Sequence, residues 1–174
     1  MDPTYRSLGD HTESLQLDFD PARISYAQLL DIFWDSHNPT HKIWSTQYKA
    51  AVFVHNERQA HLAEASKARF AVEKTGRWFN RPIQTEILPA ETFYLAEDYH
   101  QKYRLQHHPR LWDEILEIYR ADTLGWINST AAARLNGYVG GYASAAQLAD
   151  EIDGLGLSPP AQDYLWQTVR RFKK

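Results

Sequence analysis

The stretch TQYKAAVFVHNERQAHLAEASKARFAVEKTGRWFNRPIQTEILP, residues 46–89, decides the fold class. Its opening, QYKAAVFVH (47–55), is rich in aromatic and β-branched residues and nearly continuous in apolar character, which predicts a strand in the middle of a sheet. From Asn56 to about Thr75 the chain is polar, rich in alanine and free of Gly and Pro, as suits a helix with a solvent face, and Gly76 can end it. IQTEILP (83–89) then predicts another strand. Strands separated by helices imply a mixed α/β arrangement, with helices packed on a small sheet.

Working outward toward the N-terminus, ESLQLDF (13–19) alternates polar and apolar residues, so Leu15, Leu17 and Phe19 predict a strand with one buried face. Ser25 can cap a helix through YAQLLDIFWDSH, with Leu29, Leu30 and Phe33 on its apolar stripe and Asn38-Pro39 as its stop. Toward the C-terminus, AEDYHQKYRLQ (96–106) starts a further helix. After Pro109 only helical patterns remain. RLWDEILEIYR sets Leu111, Ile115 and Ile118 on one side, and residues 144–169 form two short helices split by Gly154 to Pro160. This divides the chain into an α/β core over residues 1–108 and a helical extension over 109–174, packed on the core.

Composition narrows the function classes. A 43% apolar and 24% charged content over 174 residues is that of one globular domain. A net charge of -3 gives no electrostatic reason to expect nucleic acid or an anionic membrane as partner. AAVFV (50–54) is far too short to span a bilayer and the N-terminus lacks a basic-then-apolar leader pattern, so the expected location is cytoplasmic. Cysteine is absent, which excludes disulfides, thiolate metal sites and a cysteine nucleophile within these residues. Six Trp and ten Tyr suit a well-filled core or an aromatic-lined pocket.

Several clusters invite a chemical reading. His37 and His41 have helical metal-pair spacing, but Pro39 between them ends the helix, so no metal site is expected. His107-His108 precedes Pro109 and reads as an exposed connector. NGYVGGYAS lacks both the preceding strand and the Lys-Ser/Thr of a phosphate cradle, and its glycines suit a tight segment packed against another element. In AEDYHQ, a helix's first turn accounts for Glu97 and Asp98 electrostatically, which leaves Tyr99 and His100 as candidates for contact with substrate. PTYRSLGDHTE (3–13) places Tyr5, His11 and Glu13 just before a predicted strand. A carboxyl there, held in a partly apolar pocket, would suit a general acid, and the phenols of Tyr5 and Tyr48 can donate hydrogen bonds to an oxygen.

At these residues a resemblance emerges. PTYRSLGDHTE (3–13), DFDPARISYAQLLDIFWDSHNPT (18–40), TQYKAAVF (46–53), IQTEILPAETFYLAEDYHQKYRLQ (83–106) and LNGYVGGYASAAQLADEIDGLGLS (135–158) resemble, in that order, the A-type peptide methionine-S-sulfoxide reductases. The resemblance implies an α+β fold: a two-layer sandwich with a small mixed sheet and a ferredoxin-like core, its first strand and helix missing here, plus the helical extension. In that family the nucleophile is a cysteine in a Gly-Cys-Phe-Trp segment. Its thiolate attacks the sulfoxide sulfur and ends as a sulfenic acid, which resolving thiols and thioredoxin or another dithiol reduce, with no bound cofactor.

By the same resemblance Glu13 is the proton donor, Tyr5 and Tyr48 hold the sulfoxide oxygen, and His11, Tyr99 and His100 lie on the substrate side. The substrates implied are methionine-sulfoxide-containing peptides or proteins. A thiol would have to come from a segment or partner chain carrying the missing part, and without it a marginally stable, inactive chain is expected. One departure falls at HKIWS (41–45), where the family usually has a Gly-Asn-Asp-like stretch. Two rivals are a non-catalytic module that binds methionine sulfoxide or a protein, and an acid-base enzyme built on Glu13 and His11.

Overall fold

The computed structural model describes residue 9, residues 11–73 and residues 81–172. Two compact units divide the chain, Met1–Leu95 and Ala96–Lys174.

In the first unit, helix α1 (Tyr26–Asp35) begins where Ser25 predicts it. A capping box closes it: the Gln28 N–H donates to Ser25 Oγ at 3.2 Å, and the Ser25 N–H donates to Gln28 Oε1 at 2.8 Å. The helix ends before Asn38-Pro39, and Leu30 and Trp34 are buried. Strand β1 (Ala51–Val54) runs parallel to β2 (Glu86–Pro89), with Ala51 opposite Glu86 and Val54 opposite Pro89. Parallel neighbours need a crossover, and helix α2 (Glu57–Glu73) supplies it. Leu30, Trp34, Ala63 and Phe70 form the core, with Val52, Val54 and Ile87 packed against them. Each large side chain buried in this way contributes about 1.5–3 kcal/mol.

Two expectations fail here. Among the described residues the sheet has only these two strands, so β1 is not flanked on both sides. Residues 13–19 are not a strand: among the described residues their main chain reaches another segment through one backbone bond, Glu13 N–H to the Gln47 carbonyl at 2.9 Å, and Leu15 and Leu17 are 82% and 57% exposed. Alternation marks an extended backbone, but a strand exists only where a neighbour satisfies its N–H and C=O groups. Phe19 does find a partner, stacking on Tyr26 with ring centroids 6.4 Å apart.

The second unit is helical throughout its described residues. The helix expected from residue 96 is instead a 3-10 turn at Asp98–His100 followed by α3 (Tyr103–Gln106). Lys102 separates them with a left-handed backbone, φ 48°, and the Leu105 N–H is taken by Asn136 Oδ1 at 3.0 Å. Helix α4 (Pro109–Tyr119) has proline in its first turn and buries Leu111 and Ile115, but Ile118 is 54% exposed, so the buried stripe is shorter than its spacing suggests. Helices α5 (Thr123–Ile127) and α6 (Thr130–Val139) start at the caps Asp122 and Ser129. Helix α7 (Ala145–Glu151), capped by Ser144 and Gln147, and α8 (Pro159–Val169) flank the predicted break. The GYVGGY segment begins inside α6 and leaves it at Gly140. Gly141 then adopts φ 75° against Phe172, whose ring a Cβ would meet at 2.9 Å. Leu105, Leu111, Ile115, Leu135, Leu148 and Leu165 are fully buried in this unit's core. Among the described residues, no helix is long and apolar enough to cross a membrane.

Candidate active site

Two of the candidates read from the sequence, Glu13 and Tyr48, meet at a 3-10 turn in the first unit, Thr46–Tyr48. Its backbone closes with the Tyr48 N–H donating to the Ser45 carbonyl at 3.3 Å. Two further bonds fasten residues 12 and 13 to it. Thr12 Oγ1 donates to the Thr46 carbonyl at 3.0 Å, and the Glu13 N–H donates to the Gln47 carbonyl at 2.9 Å. The Gln47 side chain completes the clasp by donating from Nε2 to Glu13 Oε1 at 2.8 Å. Glu13 and Tyr48, 35 positions apart by their numbers, are thereby attached to the same turn.

Glu13 is exposed, so the partly apolar pocket expected around its carboxyl is not present among the described residues. What surrounds it is polar: an amide donor on Oε1 and a main-chain tether. Tyr48 is 49% exposed and stands at the end of the turn. His11 packs edge-on against Tyr94, centroids 5.2 Å apart and planes at 83°. Next along the chain from Tyr48, Lys49 Nζ pairs with Glu86 Oε2 at 2.9 Å, which ties the turn's exit to the first residue of β2. Before the turn, HKIWS supplies no carboxylate; Trp44 is 86% exposed and Lys42 Nζ lies 4.2 Å from its ring centre.

The other candidates fall elsewhere. Tyr5 lies outside the described residues. Tyr99 and His100 belong to the second unit, in its first 3-10 turn, with ring centroids 4.1 Å apart. His37 is a structural residue: Nδ1 bonds the Phe33 carbonyl at 2.8 Å and Nε2 bonds Thr85 Oγ1 at 3.0 Å, which links the end of α1 to the approach to β2. Thr85 is buried, and its carbonyl accepts from Lys67 Nζ at 2.8 Å. The His107-His108 connector is less exposed than its sequence suggests. His108 is half-buried with Nδ1 2.9 Å from the Tyr164 hydroxyl, and burial, aided by the neighbouring His107, pushes its pKa below the usual histidine range. Among the described residues no group of three His, Asp or Glu is placed to hold a metal ion.

Gln47 and Tyr94 are the site residues that sequence reasoning missed. Gln47 sits inside the quoted TQY motif, yet nothing local says that its side chain reaches Glu13, 34 residues away. Chemically, the turn offers a carboxyl that can carry a proton and a phenol that can donate a hydrogen bond. It contains no thiol.

Comparison with known proteins places the chain in a family. Residues 1–123 match the family model described as peptide methionine sulfoxide reductase. The chain belongs to the peptide methionine sulfoxide reductase family. Residues 126–163 match a second model, described as the helical domain of selenoprotein methionine sulfoxide reductase A. A Drosophila melanogaster peptide methionine sulfoxide reductase is 40% identical over 172 residues, covering 97% of this chain and 66% of the relative. A Methanosarcina acetivorans peptide methionine sulfoxide reductase MsrA is 44% identical over 110 residues, covering 58% of this chain and 57% of the relative. An Arabidopsis thaliana relative is 36% identical over 141 residues, covering 78% of this chain and 53% of its own length. The chain therefore spans about half to two thirds of the reductases it matches.

Proposed function

We propose that this chain supplies the oxygen-handling part of a methionine-S-sulfoxide reductase acting on oxidised proteins, with the thiol contributed from outside these 174 residues. The observation that carries the reading is the attachment of Glu13 and Tyr48 to one turn in a chain of this family. In this reading Glu13 donates a proton to the sulfoxide oxygen, while Tyr48 and Tyr5 hydrogen-bond to that oxygen. His11, in the same unit, contacts the rest of the substrate.

The chemistry balances only with a sulfur nucleophile. A thiolate sulfur attacks the sulfoxide sulfur, the oxygen takes a proton and passes to the attacking sulfur, and methionine leaves a sulfenic acid behind. A second thiol converts that acid to a disulfide and water, and a dithiol such as thioredoxin reduces the disulfide. Carboxylate and hydroxyl groups do not replace a thiolate in the first step, and the sequence has no cysteine. We assign residues 1–108 to the reductase-like core, built on the β1–α2–β2 unit as part of a ferredoxin-like sheet, and 109–174 to its helical extension. The working location is the cytoplasm.

The test is methionine formation from methionine-S-sulfoxide with dithiothreitol. The chain alone is expected to give none. Adding a peptide that carries the family's Gly-Cys-Phe-Trp segment, or using a longer polypeptide that includes it, is expected to produce turnover that Glu13→Gln lowers by about a hundredfold. Saturable methionine sulfoxide binding without turnover in every thiol-supplied form would replace this reading with a binding module.

A further inference from the structure

We infer that Gln47 is a positioning residue for the Glu13 carboxyl, acting through its side-chain amide; the inference rests on the reading of Glu13 as proton donor. Three bonds join the same two short segments: Glu13 N–H to the Gln47 carbonyl at 2.9 Å, Thr12 Oγ1 to the Thr46 carbonyl at 3.0 Å, and Gln47 Nε2 to Glu13 Oε1 at 2.8 Å. The first two fix the main chain. Only the third fixes the carboxyl group, which an exposed glutamate would otherwise sample in many rotamers.

The amide also distinguishes the two carboxyl oxygens. The N–H donor aimed at Oε1 occupies that oxygen, so in the proton-donor reading Oε2 is the oxygen left to face the substrate. A general acid is effective when its proton is presented in a single geometry toward the accepting oxygen. Gln47 precedes Tyr48 in the same 3-10 turn, so the residue that orients the carboxyl is also one peptide bond from the phenol. Proton donor and hydrogen-bond donor are thus both attached to one turn instead of two independent loops.

A merely structural Gln47 would predict something different, and two measurements separate the cases. On the 174-residue chain, the side-chain amide signals of Gln47 in a nitrogen-proton correlation spectrum are expected to shift in Glu13→Ala and to stay in place in Glu91→Ala. Unmoved signals in Glu13→Ala would overturn the contact. In the thiol-supplied reductase, Gln47→Met keeps the side chain's length without the donor, and Gln47→Ala guards against a packing effect of the thioether. Both are expected to lower kcat about tenfold with KM changed less than about twofold, and neither is expected to lower kcat further in a Glu13→Gln background. An equal loss in both backgrounds would make Gln47 structural and overturn the inference while leaving the function intact. A Glu13→Gln enzyme as active as the parent would instead overturn the proton-donor reading itself, and Gln47's role with it.

Discussion

Trp34 Nε1 donates to Ser66 Oγ at 2.9 Å, and this buried bond joins α1 to α2 in the first unit. Ser66 Oγ in turn donates to the Ala63 carbonyl at 2.7 Å, so the hydroxyl both accepts and donates. Trp34 is 2% exposed and stacks on Phe70 at 5.5 Å. An indole buried this deeply requires a partner for its N–H, and Ser66, on the buried face of α2 between Ala63 and Phe70, provides it.

Ser66→Ala should therefore cost about 1–3 kcal/mol, because it strands the indole N–H without removing much volume. Trp34→Ala should cost about 3–5 kcal/mol by opening a cavity. Urea denaturation of both variants checks the order. A Ser66→Ala variant as stable as the parent would mean that water reaches the indole.

The second unit contains a comparable junction. The Tyr138 hydroxyl donates to Glu151 Oε2 at 2.9 Å, and Arg134 Nε donates to the same oxygen at 2.7 Å. Tyr138 is 1% exposed, and burial pushes its hydroxyl pKa up. Removing the carboxylate orphans a buried hydroxyl, whereas removing the hydroxyl leaves the carboxylate with its arginine. Glu151→Ala should accordingly cost about 2–3 kcal/mol and Tyr138→Phe about 1–2 kcal/mol, read from urea midpoints. The reverse order would refute the argument.

Acid should weaken this unit through His108. Its folded pKa lies below the ordinary value of 6.5, first because burial disfavours the charged ring and second because His107 adds like charge. The unfolded chain therefore binds the proton more readily, and stability rises with pH across that interval. The contribution is present above 6.5 and is lost as pH falls through the folded value. Comparing urea midpoints at about pH 5 and about pH 7.5 should show a smaller pH dependence for His108→Asn than for the parent. Asn retains a hydrogen-bonding group toward Tyr164 without the titration. An unchanged difference would assign the acid sensitivity to other groups.

What could be read from the sequence, and what could not, follows the range of the interactions involved. Helix α1 is legible because Ser25 and Gln28 are three residues apart and cap it locally. The β1–α2–β2 unit is legible because its strand and helix periodicities change over within a single stretch. Lys102 defeats the expected continuous helix: its left-handed backbone has no local signal, while Asn136, a bond partner of the following turn, lies 31 residues away from Leu105. The candidate site divides in the same way. Glu13 and Tyr48 stand in recognisable motifs, but their common turn depends on bonds across 34 residues, and a single sequence has no pattern at that distance to reveal Gln47.

The segment 13–19 gives the sharpest contrast between pattern and burial. Leu15, at 82% exposure, and Leu17, at 57%, share the alternation of a buried strand face, whereas Leu30 in α1 is 3% exposed. Stability responds to the surface actually withdrawn from water, not to the pattern. Leu15→Ser and Leu17→Ser should each change stability by less than about 0.5 kcal/mol, while Leu30→Ala should cost about 2–5 kcal/mol. Thermal and urea denaturation of the three variants in one buffer make the comparison. If Leu15→Ser cost as much as Leu30→Ala, the leucine would be covered in solution, and residues 13–19 would be paired as a strand with a neighbour that buries their apolar face.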